Sequence, residues 1–212
     1  MELTHAIDGR RMVRAFSTEP LAPGLLDRLL ERARRAPSAG NTQATSFLVL
    51  DQPTSVAGYW DTTLPSARRA SFRWGELLNA PALVVITVRP SAYVDRYGES
   101  DKQRTGLGVD QDAWPVPYWW VDAGAVAQNL LLLALDAGLG ACLFGLFEHE
   151  SAVKTRFGVP SDERLVATIA LGHPRPDTPG RSATRARLAL SAVLHRNGWS
   201  TTHDQVASDS IR

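Results

Sequence analysis

The most apolar region of the chain consists of two adjoining segments, Val121-Asp-Ala-Gly-Ala-Val-Ala-Gln-Asn-Leu-Leu-Leu-Leu-Ala-Leu-Asp-Ala137 and Gly138-Leu-Gly-Ala-Cys-Leu-Phe-Gly145. The first segment is apolar around most of its circumference, which predicts a helix at the centre of a domain. The second begins with a helix-stopping glycine and continues as an apolar run, which predicts a buried strand. A bilayer-spanning helix is not expected, because Gln128, Asn129 and Asp136 interrupt the region.

Helices and strands elsewhere in the chain alternate irregularly, which predicts one mixed α/β domain over 1–212. Helices are predicted over 3–11, from the turn at Pro20 and Pro23 through Ala33, over 66–78 and over 150–157, and buried strands over 46–50, 83–88 and 165–171. The polar stretch 89–117 is predicted to be a functional loop, because long loops without such a role are uncommon in compact domains. The chain is expected to end with a late helix-like stretch and to fray over 200–212.

Charge and cysteine content exclude several classes of function. The 212 residues include 23 Lys and Arg against 22 Asp and Glu, and this net charge of +1 argues against a nucleic-acid-binding protein. The single cysteine, Cys142, excludes an intrachain disulfide and a multi-cysteine zinc site. The five histidines lack ligand spacing, so no metal is expected. The N-terminus has no signal-peptide core, so a cytoplasmic protein without a membrane partner is expected.

The basic residues are strongly biased, since 21 are Arg and only two, Lys102 and Lys154, are Lys. Two explanations stay open: a genome that favours Arg, and arginines that bind phosphate or carboxylate. Arg10 and Arg14 are four residues apart and would form a fork for a phosphate on a continued helix, although a solvated basic helix end also explains them. The pair in Arg185-Ala-Arg187 has surface charge as its alternative.

The familiar catalytic motifs are missing, which predicts that a cofactor supplies the chemistry and that no side chain is itself catalytic. The chain has no Walker loop, no Gly-x-Ser-x-Gly elbow and no His-Glu-x-x-His pair. A cofactor contact is offered by Ala36-Pro-Ser-Ala-Gly-Asn-Thr-Gln43, because its small residues let the backbone approach a flat ligand. A plain helix-to-strand turn is the alternative.

Taken in order, these motifs resemble those of the flavin-dependent nitroreductase family. That family opens with Arg-Arg-Ser-x-Arg-x-Phe, here Arg10-Arg-Met-Val-Arg-Ala-Phe16. It continues with Ala-Pro-Ser-x-x-Asn-x-Gln-Pro-Trp, here Ala36-Pro-Ser-Ala-Gly-Asn-Thr-Gln-Ala-Thr45. A helix and Gly-Leu-Gly strand follow at 136–147, a strand runs into Leu171-Gly-His-Pro174, and a basic-x-Arg pair stands at 185–187. The motifs match in order and spacing over nearly the whole chain.

The resemblance implies an α+β fold, a three-layer α/β/α sandwich with a central mixed β-sheet flanked by helices. It also implies a homodimer with FMN at the subunit interface. The implied FMN contacts are Arg10, Arg185 and Arg187 at the phosphate, Arg14 at the pyrimidine edge, Pro37, Ser38, Ala39 and Asn41 against the isoalloxazine, and Phe144, Gly145 and Leu146 beside the reactive ring nitrogen.

Two positions depart from the family motifs. Met12 replaces a serine and removes one hydroxyl contact to the phosphate, for which Arg11 is a candidate replacement. The pair Ala44-Thr45 replaces Pro-Trp, so the entry to the following strand is expected to differ. Neither change touches the matched arginines, and both therefore bear on the subfamily more than on the cofactor.

The expected reaction is a ping-pong hydride transfer. NADH or NADPH reduces FMN and leaves, and a nitroaromatic or quinone-type acceptor is then reduced in the same slot. Trp114 and Tyr118 are the expected acceptor-pocket residues, with core packing as the alternative. Two other functions stay open on the same scaffold: a flavin-dependent dehydrogenase or oxidase of a small metabolite or peptide, and a non-redox flavin-binding protein.

Overall fold

A computed structural model describes residues 1–178 and 180–199, apart from the side chains of 181 and 182. It comprises two compact units, Met1–Asp177 and a second that begins at Thr178. The α-helices of the first unit are α1 (Leu3–Gly9), α2 (Leu25–Ala33), α3 (Pro53–Thr63), α4 (Ser66–Arg69), α5 (Pro90–Tyr97), α6 (Tyr118–Asp136) and α7 (Glu150–Phe157). Its strands are β1 (Thr45–Leu50), β2 (Ala82–Val88), β3 (Gly140–Phe144) and β4 (Arg164–Gly172).

The four strands form one sheet in the order β1-β2-β4-β3. Each neighbouring pair is antiparallel, and Val84 at the middle of β2 is opposite Val49 on one side and Ile169 on the other. Strands β2 and β3 run in the same direction but do not pair, because β4 lies between them. A mixed sheet contains parallel as well as antiparallel pairs. All pairs among the described strands are antiparallel, so the expected mixed sheet is not found there.

Helices cover both faces of this sheet. Alternate residues of β2 point to opposite faces: Val84 and Ile86 pack in a core cluster with α2 and α6, whereas Leu83 and Val85 pack in a second cluster with α3 and α7. Every residue of β2 is buried as a result. The predicted α+β sandwich of helices against a central sheet is thus confirmed.

The long helix α6 lies in the core, as its apolar sequence predicts. Leu130 in its middle is fully buried, and the cluster around it joins α6 to α2 and to the sheet. Burial of such a leucine contributes about 2 kcal/mol, so α6 is held as a rigid support for residues that project from its N-terminal half. No helix in the described ranges is long and apolar enough to cross a bilayer.

Three elements differ from the sequence-based expectation. The predicted helix over 66–78 is wrong as a continuous element: α4 ends at Arg69 and a separate 3₁₀ turn covers Gly75–Asn79. Phe72 and Trp74 both pack on the core, and residues two apart do not share a helix face. Helix α3 was not predicted at all. Helix α5 forms inside the polar stretch 89–117, where Pro90 occupies its first turn.

The second unit contains two short 3₁₀ turns, Arg181–Thr184 and Leu190–Ala192. The second turn is all that the structure shows of the predicted late helix-like stretch. Arg185 and Arg187 lie between these turns and are exposed. The predicted frayed tail, 200–212, lies outside the described residues.

Candidate functional site

The N-terminal arginines follow directly after α1. Arg10 leaves the helix with an extended backbone, while its N–H donates to the carbonyl of Ala6. The Arg10 side chain is half-buried, and its Nη1 is fully buried with no hydrogen-bond partner in the described part of the chain. An orphaned guanidinium nitrogen is costly unless an acceptor completes it. Arg11, in contrast, is exposed.

The residues after Arg10 lie along the sheet, not on a helix. The N–H of Val13 donates to the carbonyl of Ala141 at 2.9 Å, and Phe16 forms an isolated antiparallel bridge with Pro174. The helix that would place Arg10 and Arg14 on one face therefore ends at Gly9, and the expectation of a continued helix is wrong.

Met12, the departure from the family motif, packs inside the protein. It is half-buried against both core clusters, and its Sδ accepts a long hydrogen bond from the N–H of Leu143 at 3.4 Å. A polarisable thioether suits such an irregular junction. The methionine therefore fills a gap between the sheet and the 10–16 segment.

Arg14 is held by its backbone while its charge is left unpaired. Its N–H donates to Asp177 Oδ2 at 2.7 Å, its Nη1 to the carbonyl of Met12 at 3.4 Å, and its guanidinium lies 5.2 Å from the centroid of the Trp74 ring. No carboxylate among the described residues forms an ion pair with this guanidinium. Arg14 can therefore offer positive charge to a bound anion.

Cys142 lies near Arg14 but is not a reactive thiol. Its side chain is buried in β3. Burial raises the pKa of the thiol, and the opposing effect of the Arg14 charge is smaller. A protonated thiol is a poor nucleophile, so Cys142 serves as a small core residue.

The 38–43 turn has an unusual backbone. Gly40, Asn41 and Gln43 adopt left-handed conformations with φ of 63°, 54° and 54°. The Ser38 hydroxyl accepts a hydrogen bond from the Gln43 N–H at 3.0 Å and closes the turn. Asparagine tolerates this conformation, but glutamine rarely adopts it, so the rest of the structure must hold the turn in place.

Contacts from α6 and α5 hold this turn. Asp122 Oδ2 accepts hydrogen bonds from the Ala39 N–H at 2.8 Å and from the Tyr93 hydroxyl at 2.7 Å. The Nε of Arg96 donates to the Gly40 carbonyl at 2.9 Å. Burial and the adjacent Asp122 carboxylate raise the pKa of Tyr93 far above its usual range, so the phenol stays protonated and donates.

Sequence reasoning missed Asp122, Tyr93 and Arg96. One signal was available for the first of them, because Asp122 is a lone acid near the start of an apolar helix. An acid in that setting is buried only if donors surround it. The partner, Ala39, is 83 positions away, and nothing local in the sequence identifies it.

The end of β3 combines buried and strained residues. Phe144 stacks on Trp60 with ring centroids 5.7 Å apart, and Leu146 is buried. The backbone N–H groups of Gly145 and Leu146 donate to no group of the described residues. Phe147 follows with a left-handed φ of 47° and a side chain that is 84% exposed.

The expected pocket residues Trp114 and Tyr118 differ in exposure. Trp114 is buried, donates from Nε1 to the Leu107 carbonyl at 2.9 Å, and packs edge-on against Tyr93 and Trp119. Tyr118 is the first residue of α6 and is exposed. Burial agrees with the core-packing alternative for Trp114, and the pocket role of the pair stays a prediction.

Comparison with known proteins identifies the family of this chain. The sequence model of the nitroreductase family matches residues 7–173, a span that contains the arginine segment, the 38–43 turn and the whole sheet. The chain belongs to the nitroreductase family. Membership confirms the predicted family and its reaction class, an oxidoreductase.

Relatives in this family are distant in sequence but cover most of the chain. A protein of Thermus thermophilus named NADH dehydrogenase is 30% identical over 78% of this chain and 83% of its own length. A Pseudomonas putida protein named 4-nitrobenzoate reductase is 25% identical over 91% of this chain and 94% of its own length. A solved protein of Exiguobacterium sibiricum, described as a nitroreductase in complex with FMN, superposes with a TM-score of 0.72 at 21% identity and covers 94% of this chain and 98% of that one.

The family motifs therefore map onto defined places in the structure. Arg10, Arg14 and the 38–43 turn belong to the first unit, together with Pro37, which is exposed just before that turn. Arg185 and Arg187 belong to the second unit. Ala44 and Thr45 form the second departure from the family motif. The Ala44 carbonyl accepts a hydrogen bond from the Arg89 N–H at 3.1 Å, and Thr45 begins β1.

Proposed function

We propose that the protein is an FMN-dependent oxidoreductase that uses NADH or NADPH to reduce nitroaromatic or quinone-type acceptors. Family membership supports the reaction class. The names of the Thermus and Pseudomonas relatives support a nicotinamide donor and a nitroaromatic acceptor, and the FMN-bound neighbour supports the cofactor.

The Nη1 of Arg10, which is buried and has no hydrogen-bond partner among the described residues, is the observation that carries this proposal. A phosphate oxygen would complete it with a charge-assisted hydrogen bond. We propose that Arg10 contacts the FMN phosphate. For Arg185 and Arg187 of the second unit, the family motif supports a proposed role as phosphate contacts. Arg11 is exposed and is proposed as the replacement for the hydroxyl lost at Met12.

The flat part of the cofactor would contact backbone and small side chains. We propose that Pro37, Ser38, Ala39 and Asn41 lie against the isoalloxazine, where short side chains allow close approach. The unpaired charge of Arg14 would face the pyrimidine edge and stabilise negative charge there.

The strand end beside Phe144 would contact the ring system from another side. The N–H groups of Gly145 and Leu146, which donate to nothing in the described part of the chain, would donate to the flavin beside its reactive nitrogen. Bound FMN supplies hydride acceptance from the nicotinamide and hydride donation to the acceptor. The protein residues position the two substrates in turn at one face and exclude water, and none is proposed to act as an acid or base.

We also propose a homodimer with the FMN site at its interface. The outer side of α1 exposes Leu3 and Ile7, which are 65% and 52% exposed, and α6 exposes Val121. Between α1 and α6 lies an open cavity of about 290 Å³ lined partly by Leu132 and Leu133. Exposed apolar side chains of this kind support a subunit interface that includes α1 and α6.

An absorption spectrum of the purified protein followed by anaerobic titration with each nicotinamide tests the function. A yellow protein that is bleached by NADH or NADPH and recovers colour on addition of a nitroaromatic or quinone is the expected result. A yellow protein that neither nicotinamide bleaches would favour the dehydrogenase alternative. A colourless protein that takes up no FMN would refute the proposal.

A further inference from the structure

Asp122 is a buried carboxylate that joins three separate elements. It projects from α6, is 6% exposed, and receives donors from the 38–43 turn and from α5. We propose that Asp122 is a positioning residue that fixes the 38–43 turn in its flavin-binding conformation, and that α5 supplies a second contact through Arg96. This inference rests on the proposed FMN site.

The bond to Ala39 holds the turn at the point where its backbone becomes left-handed. The Ala39 N–H is held 2.8 Å from Asp122 Oδ2, and the next residue, Gly40, is already left-handed. Without this bond the turn would keep its internal contacts, such as that between Ser38 and Gln43, and the single bond from Arg96 to the Gly40 carbonyl. A conformation of this type persists only where surrounding structure determines it.

Tyr93 orients the carboxylate. Its hydroxyl donates to the same oxygen, Oδ2, at 2.7 Å, and its ring is fully buried against Trp114 and Trp119. A side chain that is locked by packing and by its own hydrogen bond can place another group accurately. Asp122 is therefore presented to the Ala39 N–H in one orientation.

Arg96 holds the other side of the turn. Its Nε donates to the Gly40 carbonyl at 2.9 Å, while two bonds of 2.7 and 2.8 Å to the Asp101 carboxylate fix the guanidinium. The ring of Tyr97 lies so close to Gly40 that a Cβ there would be 2.8 Å from it. The stretch 89–117 thus has a defined task, which is to support the turn through α5.

The consequence for function lies in the turn backbone. Pro37, Ser38 and Ala39 are proposed to face the isoalloxazine, so a shift of the turn would weaken FMN binding and change the environment of the bound ring. Loss of one hydrogen bond to a carboxylate corresponds to a weakening of FMN affinity on the order of 10-fold. Asp122→Asn would retain one acceptor oxygen for both donors, remove the charge and place an amide NH2 where the other carboxylate oxygen lies.

The test compares Asp122→Ala and Asp122→Asn with wild type, and Gln128→Ala, an exposed position on the same helix, serves as control. FMN affinity is measured by fluorescence titration, and hydrogen exchange of the 38–43 peptide is measured in the flavin-free protein. Asp122→Ala should weaken FMN binding on the order of 10-fold and speed exchange. Asp122→Asn should restore both, and a bound-flavin absorption spectrum like that of wild type.

A second pair of variants keeps the inference testable if Asp122→Ala does not fold. Arg96→Ala removes the bond to Gly40 from a partly exposed position and should weaken FMN binding several-fold, whereas Arg104→Ala on the same segment should not. Wild-type affinity in Asp122→Ala or Arg96→Ala, with unchanged exchange, would overturn the positioning role alone. A wild-type protein that binds no FMN would overturn the proposed function as well.

Discussion

Replacement of Arg10 by methionine should separate cofactor binding from stability. Methionine has a similar length and no charge, so Arg10→Met removes the guanidinium that we propose for the FMN phosphate. A hydrogen bond to a charged group contributes about 1.5–3 kcal/mol. Since each 1.4 kcal/mol is about a tenfold change in affinity, the dissociation constant for FMN should rise about 10- to 100-fold.

In the flavin-free protein, Arg10→Met should increase the thermal stability. There the Arg10 Nη1 is buried and finds no partner in residues 1–178 and 180–199, and an unsatisfied polar atom costs about 1–3 kcal/mol. The rest of this side chain is only half-buried, so relief of about 1 kcal/mol is expected. In a chain of this size that corresponds to a rise in Tm of about 2–4 °C.

Fluorescence titration of FMN and thermal unfolding of the flavin-free protein measure the two effects. Arg28→Met is the matched control, because Arg28 is exposed on α2 and should change neither quantity. Wild-type FMN affinity in Arg10→Met would refute the phosphate assignment. A lowered Tm in the flavin-free variant would show that Arg10 has a structural partner and that the reasoning from its orphaned nitrogen is wrong.

Three other sites give predictions that do not depend on FMN. Phe147→Gly should raise the free energy of unfolding by about 0.5–1 kcal/mol in denaturant titrations, because φ is 47° and the side chain is 84% exposed; Val109→Gly, at an exposed residue without that strain, should lower it instead. Cys142 should resist iodoacetamide at pH 8 in native protein and react after unfolding in urea, because burial raises its thiol pKa; rapid alkylation of native protein would disprove this. Arg164 lowers the pKa of Glu150, so that pair stabilises the protein above the unfolded-state pKa of about 4.3 and loses this contribution as pH falls through the folded-state value. Glu150→Gln should therefore cost about 1 kcal/mol at pH 7 and progressively less below pH ~4, and a difference independent of pH would contradict the assignment.

Much of the fold could be predicted from local pattern. Helix α6 and strand β2 are nearly continuous apolar runs and helix α7 ends at Gly158, and the structure places each element close to its predicted bounds. Helix α5 was missed because polar residues at Asp95 and Arg96 concealed the buried Tyr93. In that helix the one fully buried aromatic side chain is Tyr93, whose partners Trp114 and Trp119 are more than 20 positions away.

The candidate site was only partly predictable for the same physical reason. Arg10 and the 38–43 turn stand in contiguous motifs, so the resemblance alone identifies them. Asp122 acts on Ala39 from 83 positions away, and its burial depends on how α6 packs on the sheet. Residues that act through a distant backbone group become visible only when the fold brings the two together.

The comparison of FMN with riboflavin, which lacks the phosphate, tests the central claim most directly. If Arg10 and its partners hold a phosphate, flavin-free wild-type protein should bind FMN about 100-fold more tightly than riboflavin in the same fluorescence titration, the equivalent of about two charge-assisted bonds. Equal affinity for the two flavins, or affinity for neither, would contradict the account.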